Sequence, residues 1–408
     1  MKALLFTLTL LAGSSFAATP AENAIRQAAA AIEKQPTHFP YYNALAMACA
    51  RRERETGDTR FYAKAEEALQ KSFALAPDNY DGQKVETALL LGRHEFAKAL
   101  EMATRLNHQT PDDVIVYGYI ADADIELGNY KDAVAAVQWM LDLRTGNFAG
   151  LARAAHLREL HGNLSGALDL MQMAYDAAPP AETEDRAWVL AQMSHLELAG
   201  GHLVKAEAYA TSALTVFPDY HYGLAALAQV RLAQVRYPEA VALFEQRYTA
   251  APSARNLYPL AEAQQLAGQK EAAAHSFARF EEQSRAESTQ PDNSNPELIA
   301  YYAGHAGDPA KALALARREM DRRHDVFTLD GYAWALEAGG DHAAADIEIQ
   351  KALALGGKDP KLLYHAGMIA LHLQRTSAAK AYWKDATAGY SHEAEQMLRS
   401  LPDQARVN

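Results

Sequence analysis

At 408 residues the chain exceeds a single compact domain of ordinary size. With 49% hydrophobic and 22% charged residues, and only 16 prolines and 23 glycines, its composition excludes wholesale disorder and collagen-like or low-complexity sequence. The 51 acidic residues outnumber the 39 basic ones for a net charge of −12, which argues against a chain that wraps nucleic acid, and the single cysteine, Cys49, can close no intrachain disulfide.

The N-terminus comes first. Met1 and Lys2 precede ten apolar residues, Ala3 to Ala12, then Gly13, Ser14 and Ser15. Small residues at Ser15 and Ala17 complete the layout of a secretory signal peptide cut after Ala17. Ten apolar residues are too few to span a bilayer, which takes about 20. The expectation is an exported protein, periplasmic or secreted, with no membrane span once the leader is removed. Thr19-Pro20-Ala21-Glu22 then has the form of a capping box with proline at the first helical position, opening a helix through about Lys34.

From about residue 40 to 390 the chain repeats itself. The turn-like glycines Gly92, Gly128, Gly162, Gly201, Gly268, Gly307 and Gly340 are each followed five residues later by an alanine. Three matches without the glycine complete the series Ala65, Ala97, Ala133, Ala167, Ala206, Ala240, Ala273, Ala312, Ala345 and Ala379. The intervals are 32, 36, 34, 39, 34, 33, 39, 33 and 34, a mean near 35. Twelve residues before the alanine stands a second small residue: Ala121, Ala155, Ser194, Ala228, Ala261, Ala300, Ala333 or Gly367, with Val85 the one larger occupant and Ala46 the counterpart in the first unit. A small residue on each of two helices lets them approach closely. Phe244, Phe277 and Trp383, four after the alanine, are placed to fill the gap toward the next unit, and glycine or a proline such as Pro77, Pro179, Pro218 or Pro252 ends the helices.

The pattern has departures. The charged run Arg51-Arg52-Glu53-Arg54-Glu55 stretches the first unit, and Asp81 to Lys84 make a weak first helix in the second. The two 39-residue intervals place extra chain at Ala178 to Arg186 and at Ser284 to Pro296, the latter polar and turn-rich enough to predict a loop or hinge. Ser391 begins a last amphipathic helix with Ala394, Met397, Leu398 and Leu401 on one face, a cap for an otherwise open stack.

Unit three, with Tyr117, Ile120, Ala121, Gly128, Tyr130 and Ala133, is the clearest; unit six repeats it with Leu224, Leu227, Ala228, Tyr237, Ala240, Phe244 and Pro252. On these residues the chain resembles the tetratricopeptide repeat (TPR) family, built of 34-residue helix–turn–helix units. HEAT-type repeats run longer, and a Sel1-like reading fits only Ala379 to Ala394. The resemblance implies an all-α, right-handed superhelical α-solenoid of about ten TPR-like repeats. It divides the chain into a signal peptide (1–17), an N-terminal capping helix (18–39), repeats one to seven (40–283), a loop or hinge (284–296), repeats eight to ten (297–390), and a C-terminal capping helix and tail (391–408).

Motifs for chemistry are missing. Among 15 histidines there is no HExxH, and His161, His202 and His342 read as turn residues beside glycines, so no metal ligand or cofactor is predicted. No GxSxG occurs, Cys49 sits among Leu45, Ala46 and Met47 as a buried apolar residue would, and Gly356-Gly357-Lys358-Asp359 lacks the spacing and hydroxyl of a phosphate loop. No catalytic residue is assigned, and the chain is expected not to be an enzyme.

In the family it resembles, the first helix of each unit lines the concave face. Carried over position by position, that face holds Asp122, His156, His195, Gln229, Glu262, Tyr301, Trp334 and Met368 just after the small residue. Tyr258, Glu297, Asp330 and Tyr364 stand three before it, and Trp188, Tyr222 and Phe327 six before. These positions carry acidic or neutral groups and many aromatics. They lack the lysines and asparagines with which chaperone-binding members hold a terminal carboxylate. The expectation is a non-enzymatic scaffold or adaptor that holds an extended or helical protein segment with apolar and basic side chains, and no nucleic acid. An assembly factor for envelope complexes is an alternative. A carbohydrate-binding or hydrolytic protein using the aromatic face is another, without the isolated carboxylate pair a hydrolase needs.

Overall fold

A computed structural model describes residues 18–289 and 293–400. The signal-peptide reading of residues 1–17, and the end of the tail with Leu401, lie outside them. The described residues are helical throughout, with no strand among them. α1 (Pro20–Lys34) precedes ten helix pairs. The first five are α2 (Phe39–Thr56) with α3 (Arg60–Leu75), α4 (Tyr80–Gly92) with α5 (Phe96–Gln109), α6 (Val114–Glu126) with α7 (Tyr130–Leu143), α8 (Phe148–Leu160) with α9 (Leu164–Ala177), and α10 (Thr183–Ala199) with α11 (Leu203–Val216). The second five are α12 (His221–Ala233) with α13 (Tyr237–Ala250), α14 (Ala254–Leu266) with α15 (Lys270–Glu287), α16 (Asn295–Ala303) with α17 (Pro309–Met320), α18 (Val326–Ala338) with α19 (His342–Leu353), and α20 (Pro360–His372) with α21 (Thr376–Ala388). α22 (His392–Ser400) closes the order. No described helix is long and apolar enough to cross a membrane.

The small-residue ladder accounts for the pairing. Ala46, Ala121, Ala155, Ser194, Ala228, Ala261, Ala333 and Gly367 are buried on the first helices, and Ala65, Ala133, Ala167, Ala206, Ala240, Ala273, Ala312, Ala345 and Ala379 on the second. Ala300, near the end of the short α16, is only half-buried. Phe244, Phe277 and Trp383 are buried; Phe277 reaches Tyr301 of the next unit (5.6 Å), while Trp383 packs on Gly367 and donates to the Tyr364 carbonyl within its own unit (3.2 Å). Cys49 is buried in α2, where desolvation pushes its thiol up. The capping box at the start of α1 is formed: Glu22 N–H donates to Thr19 Oγ1 (3.2 Å) and Thr19 N–H to Glu22 (3.0 Å).

One unit corrects the sequence register. In unit two the left-handed turn residue is His94 (φ 59°), not Gly92, which belongs to α4. The alanine that meets the partner helix is therefore Ala99, fully buried, while Ala97 is exposed. Twelve residues earlier stands Thr87, also fully buried, so the larger Val85 is not the close-approach position. With Ala99 in place, the first two intervals become 34 and 34. The sequence reading followed the glycine, but His94 adopts the left-handed turn. Val235 (φ 59°) and Gln374 (φ 61°) do the same in units six and ten.

The solenoid also closes on itself. Val326 N–H donates to Tyr130 Oη (2.8 Å) across 196 residues, and His324 N–H donates to the Glu126 carbonyl (2.9 Å). Tyr390 Oη donates to the Gly201 carbonyl (3.0 Å) across 189 residues. At these contacts the touching turns are between five and six units apart, while Arg54 meets Glu184 only 130 residues on, joining units one and five. The glycines of the early turns mark the seam. A Cβ on Gly162 (φ 73°) would lie 2.2 Å from the Gly356 carbonyl oxygen, and one on Gly128 (φ 78°) 2.8 Å from that of His324. A Cβ on Gly268, Gly307 or Gly340, on the later turn, would meet no neighbour within 4 Å among the described residues.

The two departures that looked like insertions are the staples of this seam. Arg51 pairs with Glu182, and Arg54 with Glu184 and with Asp185 (2.6 Å). Glu184 is fully buried and also accepts from the buried Tyr220 Oη (2.5 Å). Arg52 faces the other way, to Glu22 (2.6 Å) and Glu55 (2.8 Å), and Glu55 accepts from the α1 N-terminus at Ala21 (3.0 Å). In the polar stretch 284–296, Ser284, Asn293, Ser294 and Asn295 are buried, and Asn295 donates to Glu319 (2.7 Å). One hydrophobic core runs across it from Phe280 to Leu298 and Leu315.

Candidate functional site

Side chains of neighbouring first helices meet one another at several of the expected positions. On α8, Arg153 makes a two-point pair with Asp122 of α6 (Nε 2.7 Å, Nη2 2.5 Å) and donates from Nε to the Gly118 carbonyl (3.2 Å). Six residues further along α8, Glu159 meets His195 Nε2 of α10 (2.8 Å) and His156 Nδ1 (3.3 Å). Burial pushes the Glu159 carboxyl up, but the hydrogen bonds and charges of the two imidazoles outweigh it and hold it well below the usual carboxylate range. Burial pulls His195 down, yet the Glu159 hydrogen bond and charge, with Asp359 beyond, raise it above its ordinary value. The His195 side chain is 49% accessible, although desolvation is its largest single perturbation. A cleft here runs between the turns, lined by Glu159, His195, Val326, Phe327, Lys358 and Asp359.

Farther along, Tyr222 of α12 lies against His221 (centroids 4.1 Å) and Tyr220 (5.5 Å), and burial pushes its phenol up. His221 Nε2 donates across the seam to the Arg54 carbonyl (3.0 Å), and burial takes this imidazole down to about 4. Arg247 of α13 and Arg255 of α14 add positive charge beside Tyr222. Desolvation pulls the Arg247 guanidinium down to about 10. Glu297 approaches Arg255 Nε at 3.9 Å. In units nine and ten Trp334 stacks on His365 (centroids 4.1 Å, interplanar 11°), which in turn bonds to Asp330 (2.8 Å), with Tyr364 at 6.1 Å from Trp334.

The positions expected to line one open face therefore divide. Asp122, His156 and His195 come together around Arg153 and Glu159; Trp334 and Tyr364 share His365. Tyr301 packs on Phe277 and Phe280 (5.6 and 5.7 Å) and stays partly accessible, Glu262 lies 3.9 Å from His305, and Gln229 is exposed. Trp188 and Met368 are half-buried against neighbouring cores. Two placements are corrected. Tyr258 is 6% exposed, packed edge-on to Phe277 and Phe280, and belongs to the core. Asp330 is 7% exposed and committed to His365. The expected acidic character is corrected too. Asp122, Glu297 and Asp330 face Arg153, Arg255 and His365 in turn. Counting only fixed offsets from the small residue passed over Arg153, two before Ala155, and Glu159, four after it. Their signal was the charge alternation Arg153, His156, Glu159 on one helical face.

No family model matches the chain, and no curated protein is similar to it in sequence. Solved structures are similar in fold. Human IFIT1, as a dimer with PPP-AAAA, superposes with a TM-score of 0.50 at 12% identity, over 90% of this chain and 86% of that one. The helical solenoid is of the tetratricopeptide type. Cut9, in the APC/C hetero-tetramer Cut9–Hcn1, aligns at 13% identity and a TM-score of 0.47 over 92% of this chain, which spans only 58% of Cut9's length. PilW, a type IV pilus biogenesis factor, aligns at 13% identity and a TM-score of 0.43 over 50% of this chain and 92% of its own. At such identities the likeness speaks to the fold alone.

Proposed function

We propose that this protein is an exported, non-enzymatic scaffold whose superhelix holds a segment of another exported protein. The observation that carries the reading is the interior wall on the first helices. Phe327, 49% exposed, shares a cleft with the accessible His195, and the exposed Gln229 and the half-buried pair Trp334 and Tyr364 stand on other first helices. Fixed aromatic and polar side chains on a rigid wall suit a segment recognised by apolar anchors and hydrogen bonds. Because Asp122 and Glu159 are already matched by Arg153, His156 and His195, the segment needs no basic residues to balance them. Export rests on the leader-like residues 1–17, and the mature chain is expected to begin at Ala18.

The test is affinity capture from the exported fraction with the wild-type chain, Phe327→Ala and Trp334→Ala. A partner recovered by the wild type and lost or weakened in both variants supports the reading. If every recovered protein binds both variants as well as the wild type, the interior is not the docking surface. N-terminal sequencing of the purified protein tests the cleavage.

A further inference from the structure

The ends of α18 and α20 and the start of α19 bring together three side chains that the interior wall leaves unused. Glu337 lies in the last turn of α18, and its side chain is 4% accessible. Its Oε2 is 2.8 Å from Nδ1 of His342, and its Oε1 bonds Nδ1 of His372. The two imidazoles stand 4.8 Å apart, and one ligand atom from each of the three residues lies within 4.8 Å of the others.

Several buried carboxylates at helix ends and seams have a guanidinium: Glu184 has Arg54, Glu55 has Arg52, Asp325 has Arg323 and Glu319 has Arg322. Glu197, at the matching place on α10, has one imidazole, His202 (2.7 Å), and Lys205 (3.6 Å), and Asp124 on α6 has Asn129 (3.1 Å), whereas Glu337 holds two imidazoles. Among the described residues no lysine or arginine nitrogen lies within 4 Å of Glu337; its ion-pair partners are His342 and His372. It also sits at the negative end of the α18 dipole, where an anion is disfavoured. Burial and dipole together favour a cation beside this carboxylate. The two histidines are 35% and 46% accessible, so an ion and water can reach the site from solvent.

We propose that Glu337, His342 and His372 bind a divalent transition-metal ion, with zinc as the reference case, and that the ion staples unit nine to unit ten. Two imidazole nitrogens and a carboxylate oxygen are a ligand set such ions take, with water completing the shell. On binding, each imidazole turns its Nδ1 lone pair to the ion and keeps its proton on Nε2. Metal–nitrogen bonds of about 2.0–2.1 Å place ligands farther apart than the present hydrogen bonds, and rotation of the two accessible rings opens that space. Motif searches miss the site because Glu337 and His342 span the turn of one unit while His372 comes from the next.

The test uses the full chain stripped with EDTA and titrated with zinc chloride by calorimetry, with cobalt(II) absorption as a second probe. One ion per chain, bound with micromolar or tighter affinity, is expected. His342→Ala and His372→Ala should each weaken binding by at least about 100-fold, since even outer-shell partners of metal sites are worth 10–100-fold. Zinc should raise the melting temperature of the wild type and leave that of His372→Ala unchanged. His202→Ala, at the Glu197–His202 pair that has a single imidazole, should bind as the wild type does. Melting in EDTA identifies any variant that fails to fold, and the other variant then decides. Absence of saturable binding, binding by the folded His342→Ala and His372→Ala variants equal to the wild type's, or loss of binding in His202→Ala overturns the assignment.

Discussion

Replacing Gly367 by alanine isolates the close approach on which the fold depends. Gly367 lies inside α20 against α21. A Cβ there would sit 2.2 Å from Nε1, 2.5 Å from Cδ1 and 2.7 Å from Cε2 of Trp383. The indole is fully buried and donates to the Tyr364 carbonyl (3.2 Å), so a rigid ring with no free space must move. Overpacking of this kind costs roughly 1–3 kcal/mol, and losing the indole hydrogen bond costs about 1 more. Alanine returns about 1 kcal/mol over glycine in a helix interior. The net expectation is a loss of about 1–3 kcal/mol. Gly331→Ala on α18 is the control, because its Cβ would find only Ile299 Cγ2, at 4.0 Å. That substitution keeps the helix gain alone and should stabilise by up to about 1 kcal/mol. Urea unfolding followed by far-UV circular dichroism and tryptophan fluorescence reads both, and in Gly367→Ala the last units should unfold at lower urea than the rest. Shifts of the same sign in the two variants, or an unchanged Gly367→Ala, would refute the argument.

Ala133→Leu or Ala240→Leu, at fully buried crossing points, should destabilise by roughly 1–3 kcal/mol in the same assay, whereas the exposed Asp132→Leu should shift it far less. Arg54→Met leaves the buried Glu184 without its guanidinium across the seam; a loss of about 1–3 kcal/mol and a larger radius of gyration by X-ray scattering are expected, and an unchanged scattering profile would count against the seam. Burial pushes the seam carboxyl of Glu126 up to about 7, with Arg323 opposing and Asp325 adding to it. Its folded value lies above the unfolded one, so its contribution is full at low pH and is lost as pH rises from the usual carboxylate range through about 7. Glu126→Gln should therefore gain stability over the wild type at pH 8 and not at pH 4, as thermal melts across that range will report.

Much of the repeat was legible because a helix crossing leaves a periodic mark. Ala133, Ala167, Ala206 and Ala240 can be counted off the chain, since only small side chains fit where two helices touch. The capping box at Thr19 is equally local, as donor and acceptor are three residues apart. Unit two misled because the turn conformation, not the glycine, sets the register, and His94 adopts it without being glycine. The site was less legible. Asp122 and His195 stand on the predicted helices, but Arg153 and Glu159, which neutralise or orient them, fall between the counted offsets. Tyr258 and Asp330 share the pattern of their accessible neighbours, and only packing against Phe277 and Phe280 in one case, and His365 in the other, buries them.

The sequence by itself determined a stack of paired helices, its unit length and its caps, because each depends on residues within one or two repeats of each other. The tertiary structure decided the pitch. Whether the coil stays open or its turns meet depends on small rotations summed over several units, and no local pattern records that sum. Only when the turns come together do the run at Arg51 to Glu55 and the extra residues around Glu184 acquire meaning, as opposite sides of one charged seam 130 residues apart.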